Sequence, residues 1–402
     1  GKKVKKDSFL TNQKKIISIK EVESSAEDRF STGFKQLDIV LGGGFQKNSL
    51  TLLYGDPGIG KSTLLLQLLN NISKKKLKSI YISGEENDSQ LKSRFNRLKL
   101  DADFDVSIET NVMNIKENCK DYDFLVIDSI NTMYIPESGK IGGVSQIKEV
   151  TIELMDFANE HNKTILFIGQ VIKDGTLAGP QALNHLVDVV LSFDFLDDDE
   201  IYRIITSSKN RFNSIDETAI FKMEEEGLKE ISDLSNIFID EKEDSIGIAK
   251  SVIFKGSRPI FIEIESLVVE NKSENSLYNP VGIDFKKFLQ ILAIMQKYLH
   301  SFFFQFNIFS NVACGIKLGQ NSSHIDLAII ASILSSKQDK DISNYIFLGE
   351  VSLSGNIRPF AKEKQVIKHF EQMSLPHEII CHTNGYTHIR DFDKIFEINE
   401  DS

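Results

Sequence analysis

Residues 50–69, LTLLYGDPGIGKSTLLLQLL, leave a chain few folds to choose from. Leu50 to Tyr54, of apolar and β-branched types, read as a buried strand. Gly55-Asp56-Pro57-Gly58-Ile59-Gly60-Lys61-Ser62 then fits G-x-x-x-x-G-K-[ST] without a mismatch, and Thr63 to Leu69 continues as an apolar helix. Glycines let backbone N–H groups wrap an anion, and the helix N-terminus adds a favourable dipole. Lys61 is expected to reach the β- and γ-phosphates of ATP, and Ser62 to ligate Mg²⁺, with Thr63 closing the nucleotide-holding run. The bland alternative is a glycine turn before a core helix, and the strand and helix on either side argue against it.

From there strand and helix patterns alternate. Strands are expected at Lys78–Ser83, Asp123–Asp128, Thr164–Gly169, Val189–Phe193 and Tyr202–Thr206. Helices are expected at Ser89–Leu98, Gln146–His161 and Leu183–Asp188, after a turn into a short helix over Arg29–Asp38. This predicts an α/β unit around a mostly parallel sheet covered on both faces.

Acidic residues at strand ends supply the remaining chemistry. Asp128 closes an apolar strand, where a Walker B aspartate would hold the metal shell; the alternative is a helix-capping aspartate. Glu85 and Glu86 follow the Lys78–Ser83 strand. Either could polarise an attacking water, with Glu85 the expected general base and a solvated acidic turn the alternative. Gln170 ends another strand and could sense the γ-phosphate. Two glycine-bearing loops, 134–145 and 171–180, belong on the ligand-binding edge and carry Lys140 and Lys173, candidate DNA contacts. Lys209 and Arg211 flank Asn210 after the Tyr202–Thr206 strand, suiting phosphate contact with either nucleotide or DNA.

The net charge of −11 argues against whole-surface attraction to nucleic acid but leaves room for a local basic groove. Cys119, Cys314 and Cys381 form no C-x-x-C pair, so neither a zinc site nor a disulfide framework is expected and a reducing, cytoplasmic setting fits. The most apolar stretch, Phe285–Phe309, holds Lys286, Lys287, Lys297 and His300, which suits a core helix plus a strand better than a membrane span. No signal peptide is visible, and the chain begins at Gly1 as a processed or trimmed piece would.

The motifs together resemble the bacterial RadA/Sms family of recombination ATPases. The matching pieces are GDPGIGKST (55–63), YISGEEN (81–87), LVIDSINTM (125–133), GGVSQIKE (142–149), GTLAGP (175–180) and KNRF (209–212). In the second half, GSRPIFIEIESLV (256–268), IDLAIIASILSS (325–336) and IFLGEVSLSGNIRP (346–359) resemble the family's Lon-protease-like domain. The resemblance implies a RecA-like P-loop ATPase core with a C-terminal α+β Lon-like domain. It also implies a hexameric ring and ATP-driven movement on single-stranded DNA and branched recombination intermediates, beside a RecA-type recombinase. Three departures stand out. The family's four-cysteine zinc module is not in this chain, Asn213 stands where the signature has glycine, and Gln170 stands where the family has histidine. Asparagine tolerates φ > 0, so the turn at Asn213 is expected to persist.

The expected organisation is a flexible leader at 1–28, an ATPase domain at 29–240 and a Lon-like domain at 245–402, with the acidic run DEKED (240–244) at the boundary. Strands are expected at Ile248–Lys255 and Arg258–Val269, a loop over Asn271–Pro280, and a hairpin of Ile346–Val351 with Asn356–Phe360. Alignment with the family puts His324 where Lon proteins carry their serine, Asp326 where they carry glycine, and Lys364 near their lysine. A peptidase needs a serine activated by a lysine, so a packing role is expected, with Lys317, Lys337 and Lys340 offering a basic surface.

Overall fold

The computed structural model describes residues 29–169, 183–196, 200–215, 217–231, 245–256, 258–272, 275–301, 303, 305–313, 322–373 and 377–397. The expected leader, Gln170, Lys173, the GTLAGP loop, the acidic run at 240–244, Cys314 and Lys317 lie outside these residues.

The first unit comprises β1 (Arg29–Phe30), α1 (Lys35–Leu41), β2 (Phe45–Gln46), β3 (Leu50–Gly55), α2 (Lys61–Ser73), β4 (Ser79–Ser83), α3 (Asp88–Arg97) and β5 (Asp105–Ser107). It continues with α4 (Val112–Asn118), β6 (Phe124–Asp128), α5 (Val144–His161), β7 (Thr164–Gly169), β8 (Val189–Phe195), β9 (Tyr202–Asn210), β10 (Thr218–Glu224) and β11 (Gly227–Glu230). Nine strands form one sheet in the order β11-β10-β9-β8-β3-β7-β6-β4-β5. From β8 to β5 neighbouring strands are parallel, and β9 to β11 add an antiparallel edge.

Period-2 alternation in the strands splits the core into two layers. Leu53, Tyr81, Val126, Leu166 and Leu191 face α1, α2 and α3. Leu52, Ile82, Ile127, Phe167 and Val190 face α4 and α5. Helix α2 buries six apolar side chains, Leu64, Leu65, Leu66, Leu68, Leu69 and Ile72, each contributing about 1.5–3 kcal/mol. Helix α1 has no side-chain N-cap of its own. Instead Glu230, at the end of β11, accepts from the backbone N–H groups of Lys35, Gln36 and Leu37, tying the last strand to the first helix.

The remaining chain builds a second sheet, ordered β14-β15-β13-β12-β16-β19. Its elements are β12 (Ile248–Lys255), β13 (Arg258–Glu270), β14 (Tyr278–Val281), α6 (Phe285–Tyr298), β15 (Phe306–Val312), α7 (Asp326–Gln338), β16 (Tyr345–Phe347), β17 (Glu350–Val351), β18 (Ile357–Arg358), α8 (Glu363–Met373) and β19 (Glu378–Ile380). Its largest core cluster takes in Leu196, Ile204 and Ile220 from β8–β10 and their connections, so packing runs across the expected boundary. Among the described residues no helix is long and apolar enough to cross a membrane.

Several expectations shift. Residues 184–186 form a turn where a helix was expected, and β14 begins inside the expected loop at Asn271–Pro280. The expected Ile346–Val351 strand breaks at Leu348-Gly349. Its first half joins the large sheet as β16, and its second pairs with β18 as a short separate hairpin. Strand β9 runs four residues past Thr206, carrying Lys209 and Asn210 into the sheet. Asn213 needs no left-handed backbone; its amide donates to the Ile39 carbonyl at 3.1 Å.

Candidate active site

Strand register decides what meets at the sheet's C-terminal edge. Ser83 pairs with Asp128, and Gly55 ends β3 alongside Phe193. The loop after β3, the acidic residues after β4 and the end of β6 therefore share one cleft of about 410 Å³. It is lined by the loop glycines, Lys61, Ser62, Thr63, Glu85, Arg94, Arg97 and Asp128. Gly60 has φ 111°, in the left-handed region, and a Cβ there would lie 2.6 Å from Met223 Cε. Helix α2 starts at Lys61, so its unpaired N–H groups open into the cleft.

Lys61 Nζ donates to the carbonyls of Gly55 (2.7 Å) and Asp56 (2.8 Å). Burial lowers its pKa, opposed by the carboxylates of Asp128, Glu85 and Asp56. Ser62 Oγ donates to Asp128 Oδ2 at 2.7 Å, and Tyr81 Oη donates to the same oxygen at 2.5 Å. The cleft fits a magnesium nucleotide. A hydroxyl and a buried carboxylate touch beside an anion-wrapping loop, and a lysine can leave carbonyls for phosphate. Ser62 and Asp128 are the residues that would hold the ion.

The two glutamates separate by local geometry. Ser83 Oγ donates to the Glu86 carbonyl and accepts from the Glu86 N–H, fixing the turn. Asn87 then caps α3 in a capping box with Gln90. The Glu86 carboxylate turns to α3 and pairs with Arg94 at 2.5 Å. Glu85 turns to the cleft and accepts from Ser129 Oγ at 2.7 Å.

Lys209 and Arg211 lie elsewhere. Lys209 pairs with Val190 and Asn210 with Val189, which is level with Thr51 near the start of β3. Four residue steps of strand, about 13 Å, separate that level from Gly55. Lys209 Nζ donates to the carbonyls of Asn184 and Val187, and Arg211 pairs with Asp188 at 3.0 Å. Burial lowers the Lys209 pKa, and Arg211 lowers it further. Neither side chain is among the residues that line this chain's cleft. Lys140 is exposed in the loop before α5.

Sequence reasoning missed four side chains here. Arg94 and Arg97 line the cleft from α3. Tyr81 supports Asp128 from the buried face of β4. Arg203, almost fully buried on β9, donates to the Ile59 carbonyl at 3.0 Å with Phe195 beneath its guanidinium, and so braces the phosphate loop from behind. A buried tyrosine and a buried arginine in strands both require polar partners, which was the one available signal.

In the second unit, His324 is buried. Its Nε2 donates to the Val252 carbonyl at 2.8 Å, and its ring stacks on Phe360. Ser323 Oγ donates to Glu350, a carboxylate where a peptidase would have an amine. Asp326 pairs with Lys287 at 2.7 Å and accepts from the Val351 N–H, and burial pushes its carboxyl up to about 6. Lys337 lies over the rings of Phe303 and Phe306, and Lys340 donates to the Ile395 carbonyl. The expected basic surface is thus partly spent on internal contacts.

A parallel sheet with this loop, helix and acidic strand ends at one edge defines a RecA-like P-loop ATPase core. An ATPase family model, KaiC, matches residues 30–121. The chain is 40% identical over 353 residues to the DNA repair protein RadA of Helicobacter pylori strain J99, covering 87% of this chain and 78% of that one. It is 39% identical to RadA of Streptococcus pyogenes serotype M6 (90% and 80% covered) and 39% identical to RadA of Streptococcus pneumoniae strain R6 (89% and 86%). The chain belongs to the RadA family of DNA repair proteins.

Proposed function

We propose that this chain is an ATP-hydrolysing motor of DNA repair and recombination. It acts in the cytoplasm on single-stranded DNA and branched intermediates, beside a RecA-type recombinase, and promotes branch migration. Residues 29–240 form the ATPase domain, and residues 245–402 a Lon-like domain without peptidase activity. The observation that carries the reading is the shared cleft of Lys61, Ser62, Glu85 and Asp128 in a chain of the RadA family.

The loop N–H groups and Lys61 bind and orient the phosphates of ATP. Ser62 and Asp128 would hold magnesium, which would supply positive charge against the phosphates during transfer. Glu85, oriented by Ser129, takes a proton from water as its oxygen attacks the γ-phosphorus in line and the β–γ bridge oxygen leaves with ADP. Gln170 senses the γ-phosphate and passes its state to the loop carrying Lys173, while Lys140 and Lys173 contact DNA.

The chain works as a hexameric ring, in which Lys209 and Arg211 serve a neighbour's cleft. Their place on the far edge of their own sheet supports that reading. Mixing Lys61→Ala chains with Arg211→Ala chains should then restore part of the hydrolysis that each lacks alone. No restoration at any ratio, with rings verified, would limit the pair to DNA contact.

The main test is ATP turnover with and without single-stranded DNA. Clear stimulation supports the motor. Unchanged turnover would favour a RecA-like switch that binds protein partners and does not move on DNA.

A further inference from the structure

We infer that Tyr81 is a positioning residue whose hydroxyl fixes the Asp128 carboxylate for magnesium; this rests on the magnesium–ATP reading above. Tyr81 is the middle residue of β4 and has no exposed surface. A phenol in such a place must find a hydrogen-bond partner or lose stability. It has found Asp128 on the adjacent strand. Tyr81 pairs with Val126, so Asp128 stands two residues further on, on the same face of the sheet. The hydroxyl reaches Oδ2 at 2.5 Å, where Ser62 Oγ also donates at 2.7 Å. Oδ1 is engaged by neither donor.

The two donors differ in freedom. Ser62 is expected to turn a lone pair to the cation, so its hold on Asp128 changes as the site fills. Tyr81 cannot turn. Its ring is packed in the core between the sheet and the helix layer. Tyr81 is thus the donor that keeps one carboxylate oxygen occupied while the other stays available. Partners of this kind, one step behind a metal ligand, set ligand orientation and affinity. The competing view is that Tyr81 only fills core volume, which a phenylalanine ring would do as well.

The test titrates free Mg²⁺ against binding of a fluorescent ATP analogue by the full chain, wild type and Tyr81→Phe, with a parallel measurement in EDTA. For Tyr81→Phe the Mg²⁺ midpoint should rise about tenfold, while affinity in EDTA changes by less than about twofold. Tyr81→Leu is the packing control. It should lower the melting temperature more than Tyr81→Phe does, without a larger shift in Mg²⁺ midpoint. A Tyr81→Phe midpoint within about twofold of wild type would overturn the inference. If Tyr81→Phe does not fold, 3-fluorotyrosine placed at position 81 keeps the shape. Its fluorine signal should move on adding Mg²⁺ to the ATP-bound chain, and a signal unmoved by Mg²⁺ refutes the proposal. If wild type itself binds ATP no better with Mg²⁺, the magnesium–ATP reading fails first.

Discussion

Two places in this chain gather charged side chains at strand and helix ends, and they treat those charges in opposite ways. At the cleft, Lys61 and Arg97 face open volume, and among the described residues the hydrogen bonds of Lys61 go to loop carbonyls it can leave. Around His324 every group is committed inward: the imidazole to a backbone carbonyl, Ser323 to Glu350, and Asp326 to Lys287 and a backbone N–H. A binding site leaves hydrogen-bonding capacity for its ligand, whereas a structural cluster spends that capacity on itself. The second cluster thus resembles a catalytic position in sequence and a packed joint in space.

The largest effect expected from disturbing this contrast is at Lys61. Lys61→Ala should abolish ATP hydrolysis and leave the melting temperature close to wild type, since the side chain supports no core packing. Near-normal turnover would remove the nucleotide assignment. Next, Glu85→Gln should bind ATP yet turn over about 10²–10⁴-fold more slowly, as for loss of a general base. Glu86→Gln should stay near wild type because that carboxylate is tied to Arg94. A slow Glu86→Gln beside a normal Glu85→Gln would exchange their roles.

The smallest effect concerns stability at the closed cluster. The folded pKa of Asp326, about 6, lies above its unfolded value, so the folded chain keeps a proton that the unfolded chain has lost. That stabilising contribution is present at low pH and disappears as pH rises through about 6. Asn cannot titrate. The melting-temperature advantage of wild type over Asp326→Asn should therefore shrink by roughly 2–4 °C between about pH 4.5 and pH 7. An advantage that grows over the same range would reverse the assignment.

What could be read from sequence follows the range of the interactions. The strand, loop and helix at 50–69 are local, and their pattern alone placed them. Glu85 and Asp128 were legible because parallel neighbouring strands end level with one another. Tyr81 and Arg203 were not, since each acts on a partner far along the chain through a contact that no spacing announces. Strands β10 and β11 escaped notice because short mixed sequences such as GLKE carry little alternation. The position of Lys209 turned on β9 running antiparallel for nine residues, which reverses the edge its final residues occupy.

The same strand settles where this chain can be cut. Alternate residues of β9 belong to different interiors. Arg203 and Ile205 look toward the phosphate loop and α2, and Ile204 toward the second sheet's helices. Separating the chain near 240 therefore also divides a shared apolar core. It would bare Leu196, Ile204 and Ile220, each worth about 1.5–3 kcal/mol of burial, and Ile204 adjoins Arg203, which holds the Ile59 carbonyl. An isolated ATPase fragment would carry a raw apolar flank and a loosened phosphate loop. A fragment meant to work alone would need polar residues grafted onto that flank before its nucleotide affinity could be compared with that of the whole chain.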